Sequence, residues 1–546
     1  MHGAAFDADL AIAKVGSGYN YSFGNAKKAA AWGRDKGSVA INASAEVNYD
    51  TGFRNSIVKK TDGEWYSTHW YYGINGYNGA VNEAVGWKSA LGNDQVLVKA
   101  AGNAGYEYSA GMNQMATATD TNGNLILDGQ MIIVGNWDEN NKQINGSSNK
   151  AGTVCATYQN NICIDAAKIK DYYIMANGTN ITSTAQDGGY VTMTGTSMAA
   201  PVVTGSIAIL HQMWPHMKGK HLVQLVLVTG NKNIAGYNEN VHGQGLLDMD
   251  KATRPVGATG IPTTGRTNGG VSGVIGGANV SGVSASQMQA LTGVMILDSF
   301  ERDFYIDLGD MTQSVDTRTG SVAKQMGALN YYGSYMDPNK HAVFPKFVLD
   351  DNSNIEVGFG TSDKHYLGNS FSGTLGTTKD SSTLYANYNY RDGGFYAQAG
   401  LGYSTVNFDT TNSLLNTKTA KVISSTATVG YEMNPTDGHK FGFAVSQPVN
   451  IEDAKLNYNV PVRRTLDGSV QHENRTINFK NNKREIDVGT YYTFNIQKTG
   501  NAEIDAITKK LGLQGNVNTF AEIRTGVSAI KKEIEKVAGI SIQLKF

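Results

Sequence analysis

The stretch Gly195-Thr196-Ser197-Met198-Ala199-Ala200-Pro201 sets a serine hydroxyl directly ahead of an apolar run, Val202, Val203, Ile207, Ile209 and Leu210. A serine on a tight turn at a helix start holds its hydroxyl away from the backbone, near the positive end of the helix dipole, a setting that suits nucleophilic catalysis. Small residues at 199, 200 and 205 let such a helix pack closely. Taken alone, a serine before an apolar run is most often an N-cap. Asn103, which closes the run Val96-Leu-Val-Lys-Ala-Ala-Gly-Asn103, is by itself a turn residue after a strand.

The heptapeptide around Ser197 closely resembles the nucleophile motif of subtilisin-like serine proteases, the subtilases, and three further segments resemble that family in its order. Val96 to Asn103 is similar to the strand ending in the family's oxyanion asparagine, whose amide donates to the tetrahedral intermediate. Met1-His-Gly-Ala-Ala-Phe-Asp-Ala-Asp-Leu10 resembles the segment after the family's catalytic histidine, and Gly243-Gln-Gly-Leu-Leu-Asp-Met-Asp-Lys-Ala252 resembles the close of its protease core. The resemblance implies a serine endopeptidase that cleaves proteins or peptides through an acyl-enzyme at Ser197, with Asn103 as oxyanion donor and no cofactor. Calcium is left open, since no carboxylate cluster has a spacing that names a metal site.

A serine attacks only when a histidine takes its proton and an aspartate orients that histidine. In the family both of those motifs precede the segment at which this chain begins. Neither a His-Gly-Thr-His stretch nor an Asp-Ser/Thr-Gly motif is expected to serve the triad anywhere in this chain. His2 lies after the usual histidine position and is a poor substitute, while His69, His211, His216, His221 and His242 read as surface or core histidines. The expectation is the downstream part of a longer protease, inactive as it stands. The alternative is a non-catalytic surface adhesin or display module with a decayed subtilase fold. Ser38 to Ser44 resembles the strand lining the substrate cleft, yet Ala45 and Glu46 stand where the family has an aromatic or aliphatic residue and then glycine. Ala166-Ala167-Lys168 replaces the usual Ala-Pro-Gly, and Val202 a frequent histidine. Substrate preference therefore does not carry over.

The elements that must position these residues read in three regions. Residues 1–254 alternate short apolar runs, at 10–15, 38–41 and 95–100, with helical stretches such as 202–213, the pattern of an α/β domain with a parallel sheet covered by helices. Residues 255–343 read as linker and junction. Nine glycines fall between Gly257 and Gly282, where no packed core is expected, and a helical patch follows at Gln287–Leu297. From 344 to 546 the periodicity becomes two: Phe395, Ala397, Ala399, Leu401 and Tyr403 alternate with Tyr396, Gln398, Gly400, Gly402 and Ser404. A soluble sandwich and a transmembrane barrel both alternate in this way. Segments of about nine to eleven residues favour strands that cross a bilayer at a tilt.

Val294 to Phe304 and Phe441 to Pro448 resemble segments of subtilase autotransporters, and Phe546 resembles that family's terminal aromatic. This resemblance implies an all-β outer-membrane barrel of about 12 antiparallel strands over the last region, surrounded by outer-membrane lipid. It also implies a protease passenger carried to the cell surface or released from it.

Composition bounds the rest. Of 546 residues 64 are glycine, about 12% against an ordinary ~7%, and 9 are proline, about 1.6% against ~5%, so the chain is neither collagenous nor proline-rich and disordered. The 46 Lys and Arg nearly balance 47 Asp and Glu, which removes the basic footprint of a nucleic-acid binder. Tyrosine outnumbers phenylalanine 28 to 17, a preference for rings with a polar tip that suits amphipathic sheets and membrane interfaces. Neither an apolar run of about 18 residues nor a signal-peptide pattern is present, and the expected truncation explains the missing signal. Cys155 and Cys163 suit a small hairpin disulfide or two buried thiols.

Overall fold

The protein is described by a computed structural model. The description leaves out residues 1–3, 6, 18–19, 22, 45–56, 60–64, 68–77, 110, 154–157, 160–161, 164, 186, 263–277, 281–290, 309–311, 315–331, 333–334, 412, 467, 481–483, 526–533 and 546. Two compact units divide the chain: residues 1–257 with 466–468, and 258–465 with 469–546.

The first unit is built on four parallel strands, β1 (Ala40–Ala43), β2 (Val96–Ala100), β3 (Met131–Asp138) and β4 (Tyr173–Asn177), in the order β4-β3-β2-β1. Every residue of β2 and β3 is buried, as a sheet covered on both faces requires. Side chains alternate between those faces. Leu97, Met131, Ile133 and Met175 join a core with α1 (Phe23–Asp35) and α2 (Asn78–Leu91), whose Ala26, Ala30, Ala80 and Ala84 allow close contact. The opposite face is crossed by α3 (Thr196–Met213), which packs against all four strands, and by α4 (Gly219–Thr229). Residues 10–15 join no strand among the described residues, and Leu10 and Ile12 are exposed. An apolar run becomes a strand only where a neighbour's edge accepts it, and none is offered there.

The second unit is dominated by an antiparallel sheet of eleven strands. Its long members are β5 (Ser353–Asp363), β6 (Thr377–Asp392), β7 (Phe395–Asp409), β8 (Thr419–Met433), β9 (His439–Arg464), β10 (Val470–Asn478), β11 (Ile486–Asn495), β12 (Gln514–Thr525) and β13 (Glu535–Lys545). The order is β5-β6-β7-β8-β9-β11-β12-β13, with β10 paired to the far half of β9 and two short strands, His341–Val343 and Phe347–Val348, on β5. No ladder among the described residues joins β13 to the opposite edge. The connections at one end are short, such as Gly393-Gly394, while the other end carries long loops such as 364–376 and the β9–β10 extension. One segment at the short end, 496–513, is longer and contains α5 (Ala502–Lys510).

Burial along these strands follows period two with an inverted sense. Leu384, Tyr388, Leu401, Tyr403, Ile423, Val429, Phe443, Val445 and Ile523 are exposed, while Thr383, Asn387, Gln398, Ser404, Ser424, Thr428, Ser446 and Asp487 are buried. The glycines of the buried face make room for tyrosine rings. A Cβ on Gly402 would lie 2.5 Å from the ring of Tyr332, and one on Gly442 would lie 2.0 Å from that of Tyr491.

The expected helical patch at Gln287–Leu297 is corrected at its C-terminal end, while residues 287–290 lie outside the described residues. Val294–Leu297 is a strand, paired with Asp303–Ile306 and buried along its whole length. Four consecutive large apolar residues suit a strand buried on both faces, and Gly293, at φ +64°, leads into it in a conformation that favours glycine. Gly260 pairs with Leu297, and Ile261 packs in the same core, so the start of the glycine-rich stretch is ordered against this hairpin.

Candidate active site

The carboxyl ends of the parallel strands and the start of α3 meet at one edge of the sheet, where open α/β sheets place their ligands. β1 delivers Ser44, β2 delivers Asn103, the loop after β4 delivers Gly178, and α3 begins with Thr196 and Ser197.

Ser197 and Ser44 exchange hydrogen bonds. Ser197 Oγ donates to the Ser44 carbonyl at 2.9 Å, and Ser44 Oγ donates to the Ser197 carbonyl at 3.2 Å. The second bond has a cause in the sequence. Pro201 sits inside α3 and has no N–H to offer the carbonyl four residues back, which is that of Ser197. The Ser44 hydroxyl takes the place of the missing donor.

Asn103 is held by the residue beside the serine. Its Oδ1 accepts from the Thr196 N–H at 2.9 Å and from Thr196 Oγ1 at 3.1 Å, while Thr196 Oγ1 accepts from the Gly102 N–H at 3.2 Å. With its oxygen engaged as acceptor, the carboxamide is oriented and Nδ2 is its donor end. The loop carrying it is shaped by Asn149. That buried side chain accepts from the N–H groups of Ala104 and Tyr106, both at 3.1 Å, and donates to the Ala101 carbonyl at 3.1 Å. Gly195 is fixed from the other side by a 2.9 Å bond to the Gly178 carbonyl. A Cβ on Gly178 would stand 2.5 Å from the Gly195 carbonyl, so only glycine allows this approach.

The model of the peptidase S8 group, described as the subtilase family, matches residues 1–246. Residues 1–246 are thus similar to the subtilase family. Among solved structures it is similar to the prenylagaramide maturation protease PagA, at 16% identity over 44% of this chain and 70% of that one, with a TM-score of 0.29. Similarity extends to the patellamide maturation protease PatA, at 19% identity over 43% of this chain and 68% of that one, TM-score 0.28. A third is the epidermin leader peptide processing serine protease of Staphylococcus aureus, at 19% identity over 46% of this chain and 58% of that one, TM-score 0.30. No curated protein sequence matches.

Within the first unit the structure brings Ser197 and Asn103 together through Thr196, across 93 residues of sequence. Sequence reasoning missed Ser44 and Asn149 as supports. The signal for Ser44 was the Pro201 in the helix, which orphans a carbonyl. No histidine or carboxylate bonds Ser197 among the described residues, and its hydroxyl is donated to Ser44. His2 and His69 lie outside the described residues. His211 is lowered from its ordinary pKa by burial. His242 is lowered by burial too, and its Nδ1 accepts from the Asn238 N–H at 3.0 Å. Neither bonds Ser197 among the described residues. One triplet, Asp50-Thr51-Gly52, does carry the letters of the aspartate motif. It follows the Met1-His-Gly segment, out of the family's order, and lies outside the described residues. Cys155 also lies outside them, so the pairing with Cys163 does as well.

Proposed function

We propose that Ser197 is the nucleophile of a subtilisin-type endopeptidase and Asn103 its oxyanion donor. The observation that carries this reading is the bonding of Asn103 to Thr196, which sets an amide donor beside a serine at a helix start. Ser197 Oγ attacks the carbonyl carbon of a peptide, and its proton passes to a triad histidine oriented by an aspartate. The oxygen that becomes negative is met by Asn103 Nδ2 and by the Ser197 N–H, one of the donors that a helix start leaves without an intrahelical partner. The amine leaves with the histidine's proton, and water then cleaves the acyl-enzyme. Loss of the asparagine donor costs roughly 10²- to 10³-fold in turnover, a magnitude taken from a subtilisin. Protein or peptide substrates suit the exposed edge of β1, which offers backbone groups to an extended chain.

The second unit reads as an outer-membrane barrel that carries this unit to the cell surface. Its support is the inverted burial, because a water-soluble sheet does not expose a continuous apolar face while burying serine, threonine and asparagine. Short connections at one end and long loops at the other agree with that reading.

The test is peptidase activity of the polypeptide that carries Ser197 together with a triad histidine and aspartate. Ser197→Ala is expected to abolish hydrolysis, and retained activity would overturn the assignment. One observation favours a second reading, a non-catalytic display module: Ser197 Oγ is donated to a backbone carbonyl. A reading frame without His-Gly-Thr-His ahead of Met1 decides for the second.

A further inference from the structure

We propose that the outer face of the sheet beneath α5 is a binding site for a phospholipid acyl chain at the short-loop end of the barrel. The proposal rests on the barrel reading and adds a place where lipid is held rather than merely touched. Ile504 and Ile507 of α5 and its C-cap Leu511 are 47%, 58% and 65% exposed, at the i, i+3, i+7 spacing of an amphipathic stripe. No residue of this helix is buried. A helix this short does not persist in water on its own, yet it is firmly tied down. Asn501 caps it by accepting from the Glu503 and Ile504 N–H groups, Asp505 accepts from Thr499, and Thr508 Oγ1 donates to the Ile496 carbonyl. The chain thus fixes an apolar stripe in place and leaves it uncovered.

Between α5 and the sheet lies a cavity of about 520 Å³, lined chiefly by His439, Tyr492, Phe494, Ile496, Ile504 and Leu513. Tyr492 and Phe494 belong to the outward face of β11, the face whose Ile486 and Val488 are exposed, so the cavity opens outside the sheet. Its polar groups are already bonded within the protein: His439 to Tyr492, Thr499 to Asp505 and Thr508 to Ile496. What remains to a visitor is apolar, which selects a hydrocarbon chain over a sugar or a peptide backbone. The cavity stands beside Phe441, Tyr431 and Phe395, outward aromatic residues at the same end of the sheet, where a membrane barrel has its interfacial girdle. Lys509 and Lys510 in the last turn of α5 complement the phosphates of the headgroups there.

All six tryptophans of the chain lie between Trp32 and Trp214, so residues 258–546 have none. A tryptophan added at α5 is therefore read as an increment over the wild-type chain. The full chain with Ile507→Trp or Leu511→Trp is refolded into vesicles of phosphatidylethanolamine and phosphatidylglycerol, with or without bromine on the acyl chains, and Leu401→Trp on mid-β7 is the control. The expected result is that the added emission at 507 and 511 is blue-shifted and mostly quenched by the brominated lipid, as it is at 401. Quenching at 401 with none at 507 or 511 would overturn the lipid site and leave the barrel standing. Absence of quenching at all three positions would overturn the barrel reading and this proposal with it.

Discussion

Asn149 is the residue on which the loop that carries Asn103 depends. Its carboxamide joins three backbone groups of residues 101–106, and its own carbonyl accepts from Tyr173 Oη at 2.8 Å. Asn149→Ala would leave these groups unpaired at a cost of about 2–3 kcal/mol, and Asn149→Asp, which keeps the acceptor, would cost less. Urea unfolding followed by tryptophan emission measures this in the full chain, because every tryptophan lies in the first unit. His242 makes a second prediction at this scale. Burial disfavours its charged form and outweighs the Asn238 carbonyl, 3.1 Å from Nδ1, which favours that form. Its folded pKa is below the unfolded value of about 6.5, so its contribution is fully present above that pH and is lost as pH falls through the folded value. The midpoint of the tryptophan transition should drop between about pH 7.5 and about pH 5, and His242→Gln should flatten that drop. Ser197 and Asn103 could be proposed from the sequence because the pattern around each is contiguous. Ser44 and Asn149 were not, since each acts through contacts 153 and 48 residues away, and nothing local distinguishes a polar side chain that will be buried from one that will be solvated.

At the level of elements, the hairpin Val294–Leu297 with Asp303–Ile306 shows how a short motif specifies a turn. Asp298 Oδ1 accepts from the Phe300 and Arg302 N–H groups, and Oδ2 accepts from Arg302 Nε and Nη2 at 3.0 and 2.7 Å. Both side chains are fully buried, and the guanidinium lies against the rings of Phe300 and Phe304. Glu301, at φ +59°, is forced into the left-handed region to close this turn. The sequence marked the segment as a resemblance but placed a helix over its first half, because four apolar residues in a row carry no period that separates helix from strand. Removing one partner of a buried ion pair costs about 3–5 kcal/mol, so Arg302→Met should lower the temperature at which the compact form of the chain is lost in detergent gels. Arg302→Lys should rescue only part of this, since an ammonium lacks the planar fork that engages both the carboxylate and the aromatic faces. Equal behaviour of the two variants would remove the fork from the argument.

For the whole molecule, the question is which solvent faces the antiparallel sheet. Periodicity alone did not decide it, since alternation is blind to which face is wet. Burial tells the two faces apart: Leu401 is 68% exposed on β7, while its neighbours Gly400 and Gly402 face the ring of Tyr332, itself fully buried. The same inversion accounts for part of the glycine excess, which serves close approach to tyrosine rings rather than chain flexibility. Strands of 15 and 16 residues in β6 to β8, longer than the expected nine to eleven, project beyond the span a bilayer needs. The middle of such strands is therefore where the solvent reading is testable. In a bilayer, an arginine at the midplane of the lipid face costs about 2–4 kcal/mol, falling to about 0–1 kcal/mol near the interfaces. In water the same arginine would be neutral or favourable, because it removes exposed apolar surface. Leu401→Arg should accordingly reduce the yield of heat-modifiable, vesicle-inserted protein, while Asn434→Arg, in the turn after β8, should not. Unchanged insertion of Leu401→Arg, or a soluble product with improved recovery, would assign the exposed face to water and withdraw the membrane from the account.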